Sequence, residues 1–311
     1  MVEHKPNPVD SFEKLRDRVE RFIRGPARPR HAQAQLSLGF GLVARNLKVE
    51  SPRTSVSEFL GFMSDSLPGG GVYIFGGVLR DLALLGRRGF SSDIDVVVEG
   101  NWDHCIRYLQ TLGAHRNKFG GYRLEIAGWP VDIWNSRDTW AIRNGFVKYD
   151  GIASLTHTTV LNWDAILMNW RTRTFVCRDD YLSSLQSRIL DVVLRQNPNP
   201  LGMAVRVFRH LGVKDARQVT ASAAEYLADC TTRYSFDELR KSEIRSYGNA
   251  SIELSIYNFF EILKKNEHLE MRERFQAASE RARNEGIATP RRQAEWSFDD
   301  FVNSHEVVNQ R

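Results

Sequence analysis

Two strongly apolar segments, separated by a short helical pattern, stand out in the chain. The first covers residues 71–75 and ends in two glycines, and the second covers residues 94–98. Short, nearly continuous apolar runs of this length are typical of strands buried on both faces of a sheet. Alternating patterns at 122–126 and 128–134 predict two more strands joined by a tight turn. These signals predict a domain in which strands alternate with helices.

Helical spacing of apolar residues occurs on both sides of this domain and within it. Helices are predicted at residues 11–23, 55–66, 102–112, 200–211, 214–228, 235–246 and 250–265, with a charged helical stretch at 267–285. No strand pattern is visible beyond residue 200. The predicted organisation is an N-terminal helical segment (1–66), a mixed strand–helix domain (67–197), a helical C-terminal domain (198–285) and a polar tail (286–311).

Two acidic residues open the second apolar segment. Asp93 and Asp95 are separated by Ile94, so in a strand both carboxylates project from one face while Ile94 projects from the other. Carboxylates that converge at a strand end offer the oxygen ligands that Mg²⁺ prefers, which it combines with phosphate oxygens. An Asp-x-Asp pair by itself is more often an exposed strand end. The metal-binding interpretation therefore needs support from the neighbouring sequence.

That support comes from the segment just before the acids. Gly76 and Gly77 follow the first strand, and Arg80 and Asp81 lie in the helical pattern that begins there. Glycines allow a backbone turn to approach phosphates closely, and the N-terminal N–H groups of a helix bind anions. A phosphate-binding turn beside a pair of metal-binding acids is the combination of features that a phosphoryl-transfer site requires.

Three sequence blocks thus follow one another in a fixed order: Gly76-Gly77-Val78-Leu79-Arg80-Asp81, Gly86-Arg87-Arg88 and Asp93-Ile94-Asp95. In these blocks the chain resembles the head domain of class II CCA-adding tRNA nucleotidyltransferases and bacterial poly(A) polymerases, members of the polymerase-beta nucleotidyltransferase superfamily. The resemblance is specific over residues 71–98 and continues more faintly to about residue 213. It implies an α+β fold: a nucleotidyltransferase palm, with a mixed β-sheet and helices on one face, followed by an all-helical C-terminal domain.

The resemblance also implies a third carboxylate on a neighbouring strand. Asp132 lies between two apolar residues and therefore faces away from both of them in a strand. An acid in such a strand is costly unless it is paired or bound to a metal. Glu125, in the middle of the preceding strand, is the competing candidate for the third acid, and an Asp bonded to a loop is the alternative interpretation of Asp132. The residues predicted to be catalytic and to hold two Mg²⁺ ions are Asp93, Asp95 and Asp132.

Contacts to a nucleoside triphosphate such as ATP are implied by the same resemblance. Gly76 and Gly77 would cradle the phosphates, Arg80 would neutralise charge on the triphosphate, and Asp81 would hold that arginine. Two later positions match family blocks with less agreement, and a solvated helix face explains the second of them equally well. The predicted nucleotide-binding set is Gly76, Gly77, Arg80, Asp81, Asp164 and Arg206.

A polyanionic partner suits the charge of the chain, which is +5 at neutral pH. Binding to an RNA backbone uses clustered Lys and Arg side chains. Arg171 and Arg173 lie at a predicted hairpin tip beside the proposed site, and Arg209 lies on the same predicted helix as Arg206. We predict that Arg171, Arg173 and Arg209 contact RNA.

Membrane insertion and disulfide chemistry are not expected. No apolar stretch approaches the ~20 residues of a membrane span, and the first residues contain no apolar signal core. The three cysteines are widely separated and odd in number, which fits neither a disulfide framework nor a zinc site. We expect a cytoplasmic protein with no membrane partner and no disulfide-linked partner.

The sequence therefore predicts a metal-dependent nucleotidyltransferase that moves a nucleoside monophosphate from an NTP to an acceptor hydroxyl and releases pyrophosphate. The expected acceptor is the 3′ end of an RNA, in particular a tRNA. Other acceptors stay open, because the family's motif for choosing CTP or ATP is not recognisable after residue 213. These are a protein, a small molecule, or a nucleotide in signalling-oligonucleotide synthesis, as in a toxin or defence enzyme. A degenerate nucleotide-binding module without activity is the third class.

Overall fold

The structure is a computed structural model that describes residues 7–25, 55–67, 69–87, 90 and 92–284. The chain divides into two compact units, the first ending at Gln186 and the second beginning at Ser187. The predicted tail at 286–311 lies outside the described residues, as does Arg88 of the second sequence block.

The first unit is built on a mixed sheet. Its strands are β1 (Gly71–Phe75), β2 (Ile94–Glu99), β3 (His115–Arg116), β4 (Tyr122–Ile126), β5 (Trp129–Asn135), β6 (Ile166–Asn169) and β7 (Phe175–Cys177). Their order across the sheet is β3-β4-β5-β2-β1-β6-β7. The pair β2–β5 is parallel, whereas the other neighbouring strands run antiparallel. The mixed sheet predicted from the resemblance is confirmed.

Six helices of this unit are described. They are α1 (Phe12–Ile23), α2 (Val56–Asp65), α3 (Gly77–Leu85), α4 (Trp102–Thr111), α5 (Trp140–Arg143) and α6 (Tyr181–Gln186). The first two begin where the sequence places a serine, because Ser11 and Ser55 accept hydrogen bonds from the backbone N–H groups of Lys14 and Glu58. Side-chain capping of this kind explains why their starts were predictable to within a residue.

Both faces of the central strand β1 are buried. Val72 and Ile74 are fully buried, and α2 and α3 lie against this strand. Tyr73 and Phe75 point to the opposite face, where they pack with Leu155 and other residues of a segment of short helical turns that follows β5. The palm therefore carries its longer helices on one face and a shorter, irregular cover on the other.

The second unit is almost entirely helical. Its helices are α7 (Pro200–Gly212), α8 (Ala221–Arg233), α9 (Phe236–Tyr247), α10 (Leu254–Lys265) and α11 (Met271–Asn284). A helical C-terminal region after the palm was predicted, and it is confirmed. The part of the chain that the structure describes contains no helix long and apolar enough to cross a membrane.

One predicted helix of this unit differs from the observed structure. Residues 214–228 were expected to form a single helix, but Gln218–Val219 form a short strand, β9, that pairs in parallel with β8 (Ile189–Leu190). Asp215 has a positive φ of 60°, which breaks a helix there. Thr220 then caps α8 through its side chain. Local capping and pairing with a distant strand outweigh the helical spacing of the apolar residues.

Candidate active site

The turn between β1 and α3 requires glycine at its first position. Gly76 has φ 64° and ψ −119°, a conformation that side-chain-bearing residues avoid. Its N–H donates to the carbonyl of Ile166 on β6, and its own carbonyl accepts from the N–H of Arg80. Among the described residues no side chain caps this end of α3. The turn therefore leaves helix N-terminal N–H groups available for an anion, beginning with Gly77.

Arg80 lies beneath this turn in a buried ionic cluster. It is only 7% exposed, and its Nε donates to Oδ1 of Asp81 at 2.8 Å while its Nη1 donates to Oδ1 of Asp164. Burial lowers the pKa of Arg80, but the charges of Asp164 and Asp81 more than offset this, so the pKa is raised and the guanidinium stays charged. Asp81 thus pairs with Arg80 within α3. Asp164, which lies 84 residues later in the sequence of the same unit, also pairs with Arg80.

Two of the three predicted acids lie on adjacent strands of the sheet, and the third lies just before one of these strands. Asp95 on β2 is directly in register with Asp132 on the parallel strand β5. Neighbouring strands lie about 4.8 Å apart, and residues in parallel register project from the same face, so these carboxylates are close neighbours. Asp93 immediately precedes β2 and has the same parity as Asp95. Residues far apart in the sequence thus converge on one face of the palm.

Glu125 is placed differently from Asp132. It is exposed, and it pairs across the β4–β5 hairpin with Pro130, two residues before Asp132. The position in register with Asp95 is therefore occupied by Asp132. Of the two candidates for a third acid, the strand pairing favours Asp132.

An arginine that the sequence analysis did not single out joins the acids. Arg123 on β4 pairs in register with Asp132, and its Nη2 donates to Oδ2 of Asp93 and lies 3.7 Å from Oδ2 of Asp132. The side chain is about one-third exposed. The alternation of polar and apolar residues along 122–126 is the signal that could have found it, because it places Arg123 on the same face as its cross-strand partner.

The electrostatics of Asp132 reflect this crowding. Burial raises the pKa of Asp132 to about 6, Arg123 acts to lower it, and the like charge of Asp93 raises it further. A carboxylate with such a pKa is ionised at neutral pH at a cost in free energy. Burial and the like charge of Asp93 thus disfavour the ionised form of Asp132, and Arg123 offsets part of that cost.

The ligand type at these acids, carboxylate oxygen, suits a divalent metal ion. Within the described residues, no three His, Cys, Asp or Glu side chains are grouped closely enough to hold a metal ion by themselves. Mg²⁺, however, is commonly bound through one or two protein carboxylates, with water and substrate phosphates as the remaining ligands. Asp95 and Asp132 in register, with Asp93 beside them, supply carboxylates of this type. Two Mg²⁺ ions at these acids stay a prediction.

Solved structures with a similar fold cover about two thirds of the chain. A CCA-adding enzyme in complex with CTP matches at a TM-score of 0.50 and 18% identity, over 68% of this chain and 53% of that one. The Thermotoga maritima CCA-adding enzyme complexed with tRNA matches at 0.50 and 20%, over 67% and 51%. An apo CCA-adding enzyme gives 0.50 and 19%, again over 67% and 51%.

The chain has the fold of a CCA-adding enzyme. It spans about half of the length of these solved enzymes. No protein-family model and no curated protein matches the chain significantly. The relationship is therefore visible in the fold and in the short sequence blocks around the acids.

In this fold, Arg171 and Arg173 belong to the β6–β7 hairpin, where both contact other parts of the same unit. Arg171 donates through Nη2 to the carbonyl of Ser64 at the end of α2. Arg173 pairs with Glu20 of α1 at 3.1 Å, and its guanidinium lies 3.5 Å from the ring centroid of Trp170. These contacts favour a role in docking α1 and α2. Their predicted contact with RNA stays a prediction.

Arg206 and Arg209 lie on α7 in the second unit. Arg209 donates through Nη1 to the fully buried carboxylate of Glu243 and to Oδ1 of Asn249 at 3.0 Å. Glu243 in turn accepts from the backbone N–H of Ser251 at 2.8 Å. Arg209 thus fixes the connection between α9 and α10. The nucleotide contact predicted for Arg206 and the RNA contact predicted for Arg209 stay predictions.

Proposed function

We propose that the chain is a metal-dependent nucleotidyltransferase that transfers a nucleoside monophosphate from an NTP to the 3′ hydroxyl of an RNA, in particular a tRNA, and releases pyrophosphate. The observation that carries this proposal is the in-register pair Asp95 and Asp132, with Asp93 beside it, on the same sheet as the uncapped glycine turn. The fold shared with CCA-adding enzymes supports the same reaction class.

Each part of this arrangement would have a defined task. The N–H groups at the start of α3, at Gly76 and Gly77, would bind oxygens of the triphosphate, because a helix N-terminus carries partial positive charge. Arg80 would act indirectly, from beneath the turn. Its ion pairs with Asp164 and Asp81 would keep the turn and the start of α3 in place. Asp93, Asp95 and Asp132 would hold Mg²⁺, whose charge stabilises the entering and leaving oxygens of an in-line displacement.

The covalent step is a substitution at the α-phosphorus. The acceptor hydroxyl oxygen forms a bond to that phosphorus, and the bond to the oxygen that bridges to the β-phosphate breaks, so that pyrophosphate leaves. A carboxylate oxygen of Asp132 would accept the hydroxyl proton as the general base.

The test is a labelling experiment with the full chain. The protein is incubated with Mg²⁺ and each α-³²P-labelled NTP in turn, together with tRNA, total RNA or cell extract. We expect label in RNA. Label in protein or in a new small product would instead support the other acceptors that the sequence leaves open.

The matched variants are two double substitutions of aspartates. Asp93→Ala with Asp95→Ala should reduce transfer by roughly 10²–10³ or more, as loss of preorganised electrostatic stabilisation does. Asp179→Ala with Asp180→Ala, a pair of exposed acids in the same unit, should leave the rate unchanged. Transfer that survives the first double substitution would show that the acids have been assigned wrongly.

A further inference from the structure

A hairpin and a short helix of the first unit together form an exposed surface rich in aromatic and basic residues. We call it the hairpin–α5 surface and define it by Lys118, Phe119, Trp140, Arg143, Phe146 and Lys148. Phe119 is 44% exposed and Phe146 is 47% exposed. Single exposed aromatics are common on proteins, but two in adjoining segments that also carry clustered cations call for an explanation.

The hairpin part is held rigidly. The side-chain Oδ1 of Asn117 accepts from the N–H groups of Phe119 and Gly121, both at 3.0 Å, and the backbone of Asn117 donates to Gly121 at 2.8 Å. Gly120 has φ 92°, which permits the tight turn. Lys118 Nζ lies 4.8 Å from the centroid of the Phe119 ring. The aromatic ring and its neighbouring cation are therefore presented together at the tip.

The helix part is fixed to the same tip and to the strand that bears Asp132. Arg143 Nη1 donates to the carbonyl of Phe119 at 3.2 Å, which joins α5 to the hairpin. Trp140 and Phe146 stack with centroids 5.2 Å apart. At the start of α5, Thr139 Oγ1 accepts from Nε1 of Trp134 at 3.0 Å.

The surface begins close to the acids. Trp134 follows Asp132 by two residues and projects from the same face of β5, about 7 Å further along the strand. On the neighbouring strand, the hairpin leads into β4, whose second residue, Arg123, pairs with Asp132. A polymer lying across the hairpin–α5 surface would therefore be directed along the sheet toward Asp95 and Asp132.

Charge decides which kind of polymer fits. Residues 113–121 and 139–149 contain Arg116, Lys118, Arg143 and Lys148 and no Asp or Glu, although Asp138 and Asp150 flank the second segment. Aromatic rings that stack on bases, interleaved with cations that neutralise phosphates, are the means by which proteins bind single-stranded nucleic acid. An acidic peptide would use the cations but not the exposed rings, and a duplex keeps its base faces stacked inside.

We propose that the hairpin–α5 surface binds a single-stranded nucleic acid segment, with Phe119, Trp140 and Phe146 as stacking platforms and Lys118, Arg143 and Lys148 as phosphate contacts. The identification of this segment as the RNA next to the acceptor end rests on the proposed function. The surface itself is independent of that function, since binding is measurable without a nucleotide or any transfer.

The experiment is fluorescence anisotropy of a fluorescein-labelled single-stranded RNA of roughly 12 nucleotides, within the site sizes such surfaces cover. Phe119→Ala with Phe146→Ala should weaken binding by about tenfold or more, since one stacked base contributes about that factor. Lys118→Gln with Lys148→Gln should lower the slope of log K against log salt by about 1.4, at roughly 0.7 per single-strand phosphate contact.

The matched control is Phe62→Ala with Arg107→Gln. Phe62 is also exposed and packs on Tyr108 of α4, and Arg107 is an exposed cation on that helix. This control should bind RNA as the unsubstituted chain does, and far-UV circular dichroism should show all three variants equally folded. A duplex of the same sequence should bind more weakly than the single strand.

The outcomes separate this proposal from the proposed function. RNA binding that depends on Phe119 and Phe146 in a chain without transferase activity would support the surface and overturn the function. Transfer to RNA that is unaffected by these substitutions would overturn the identification of the segment as the RNA next to the acceptor end, and undiminished RNA binding would overturn the surface alone. Equal weakening by the Phe62 and Arg107 control, no binding of single-stranded RNA, or binding only to lipid vesicles or to protein would also overturn it.

Discussion

Arg123 places a positive charge between two carboxylates that were assigned to a metal ion. Its guanidinium bonds to Asp93 and lies 3.7 Å from Asp132, so a cation already compensates these acids in the metal-free protein. An ion approaching Asp93 or Asp132 would have to compete with Arg123. If these acids bind a metal ion, the arginine would lower the affinity of the site for it.

Arg123→Ala should bind Mn²⁺ more tightly than the unsubstituted chain in the absence of nucleotide. The expected gain is about fivefold, because a partly exposed ion pair contributes about 1 kcal/mol. Isothermal titration calorimetry measures this affinity directly, and Arg116→Ala, an exposed arginine on β3, is the control. Unchanged or weaker Mn²⁺ binding would show that Arg123 positions the acids instead of competing for them.

The cluster of Arg80, Asp81 and Asp164 should matter chiefly for stability. Asp164→Ala removes one partner of a buried arginine, and loss of one member of a buried ion pair costs about 3–5 kcal/mol. In the exposed pair Arg178 and Asp180, Asp180→Ala should cost less than about 1 kcal/mol. Urea unfolding followed by tryptophan fluorescence compares the two. Similar costs for both substitutions would contradict the structural role given to Asp164.

At the scale of single residues, the sequence predicted much of the candidate site but not the ion pairs within it. Gly76, Asp93 and Asp95 belong to sequence blocks fewer than twenty residues apart, and the antiparallel pairing of β1 with β2 brings these blocks near one another. Asp132 required a guess about strand pairing, which the register with Asp95 supports. The pairing of Arg80 with Asp164 was not predictable, because it depends on how two segments 84 residues apart pack together.

The β6–β7 hairpin contributes to the packing of another element, the helix α1. Its turn contains Arg173 in a left-handed conformation, with φ 60°, and Asn169 Oδ1 accepts from the N–H groups of Arg171 and Thr172. The turn thereby directs Arg173 toward Glu20 of α1 and the ring of Trp170. Docking of α1 depends on this hairpin as well as on its own apolar face.

A charge swap separates a docking role from an RNA-binding role of Arg173. Arg173→Glu and Glu20→Lys should each lower the melting temperature, and the two together should restore most of the loss, because the pair is re-formed with opposite polarity. Calorimetric melting of the four chains measures this coupling.

RNA affinity of the same chains tests the other role. If Arg173 also contacts RNA, the doubly substituted chain should melt normally but bind RNA more weakly than the unsubstituted chain. Melting effects that simply add would exclude a direct ion pair between Arg173 and Glu20.

Elements were predictable where the signal is local. The starts of α1, α2 and α9 follow from serine caps, and the apolar spacing fixes their buried faces. Strand order was not predictable beyond the general type of sheet, because pairing such as β1 with β6 joins segments that are distant in the sequence. The short strand β9 was missed for the same reason, since its partner β8 lies almost thirty residues earlier.

At the scale of the whole molecule, about two thirds of the chain matches the fold of CCA-adding enzymes, and the chain divides into two compact units. The first unit contains the candidate acids and the glycine turn. Arg206 of the second unit was matched by sequence to an arginine near the nucleotide.

Arg206→Ala in the complete chain should weaken binding of a fluorescent ATP analogue by about tenfold or more, since a charge-assisted hydrogen bond to phosphate contributes about 1.5–3 kcal/mol. Arg245→Ala, an exposed arginine on α9 of the same unit, is the control and should have no effect. Equal affinities for all three chains would place the nucleotide contacts entirely within the first unit.

Burial of β1 between β2 and β6 has a consequence for the chain while it is being synthesised. All five residues of β1 are buried, and its second neighbour, β6, begins about ninety residues later. At translation rates of roughly 5–20 residues per second, the apolar edge of β1 waits about 5–20 s for its partner. An open apolar strand edge is a template for pairing with other chains. The emerging polypeptide is therefore most prone to self-association, and most dependent on chaperones, in the interval before Ile166–Asn169 leaves the ribosome.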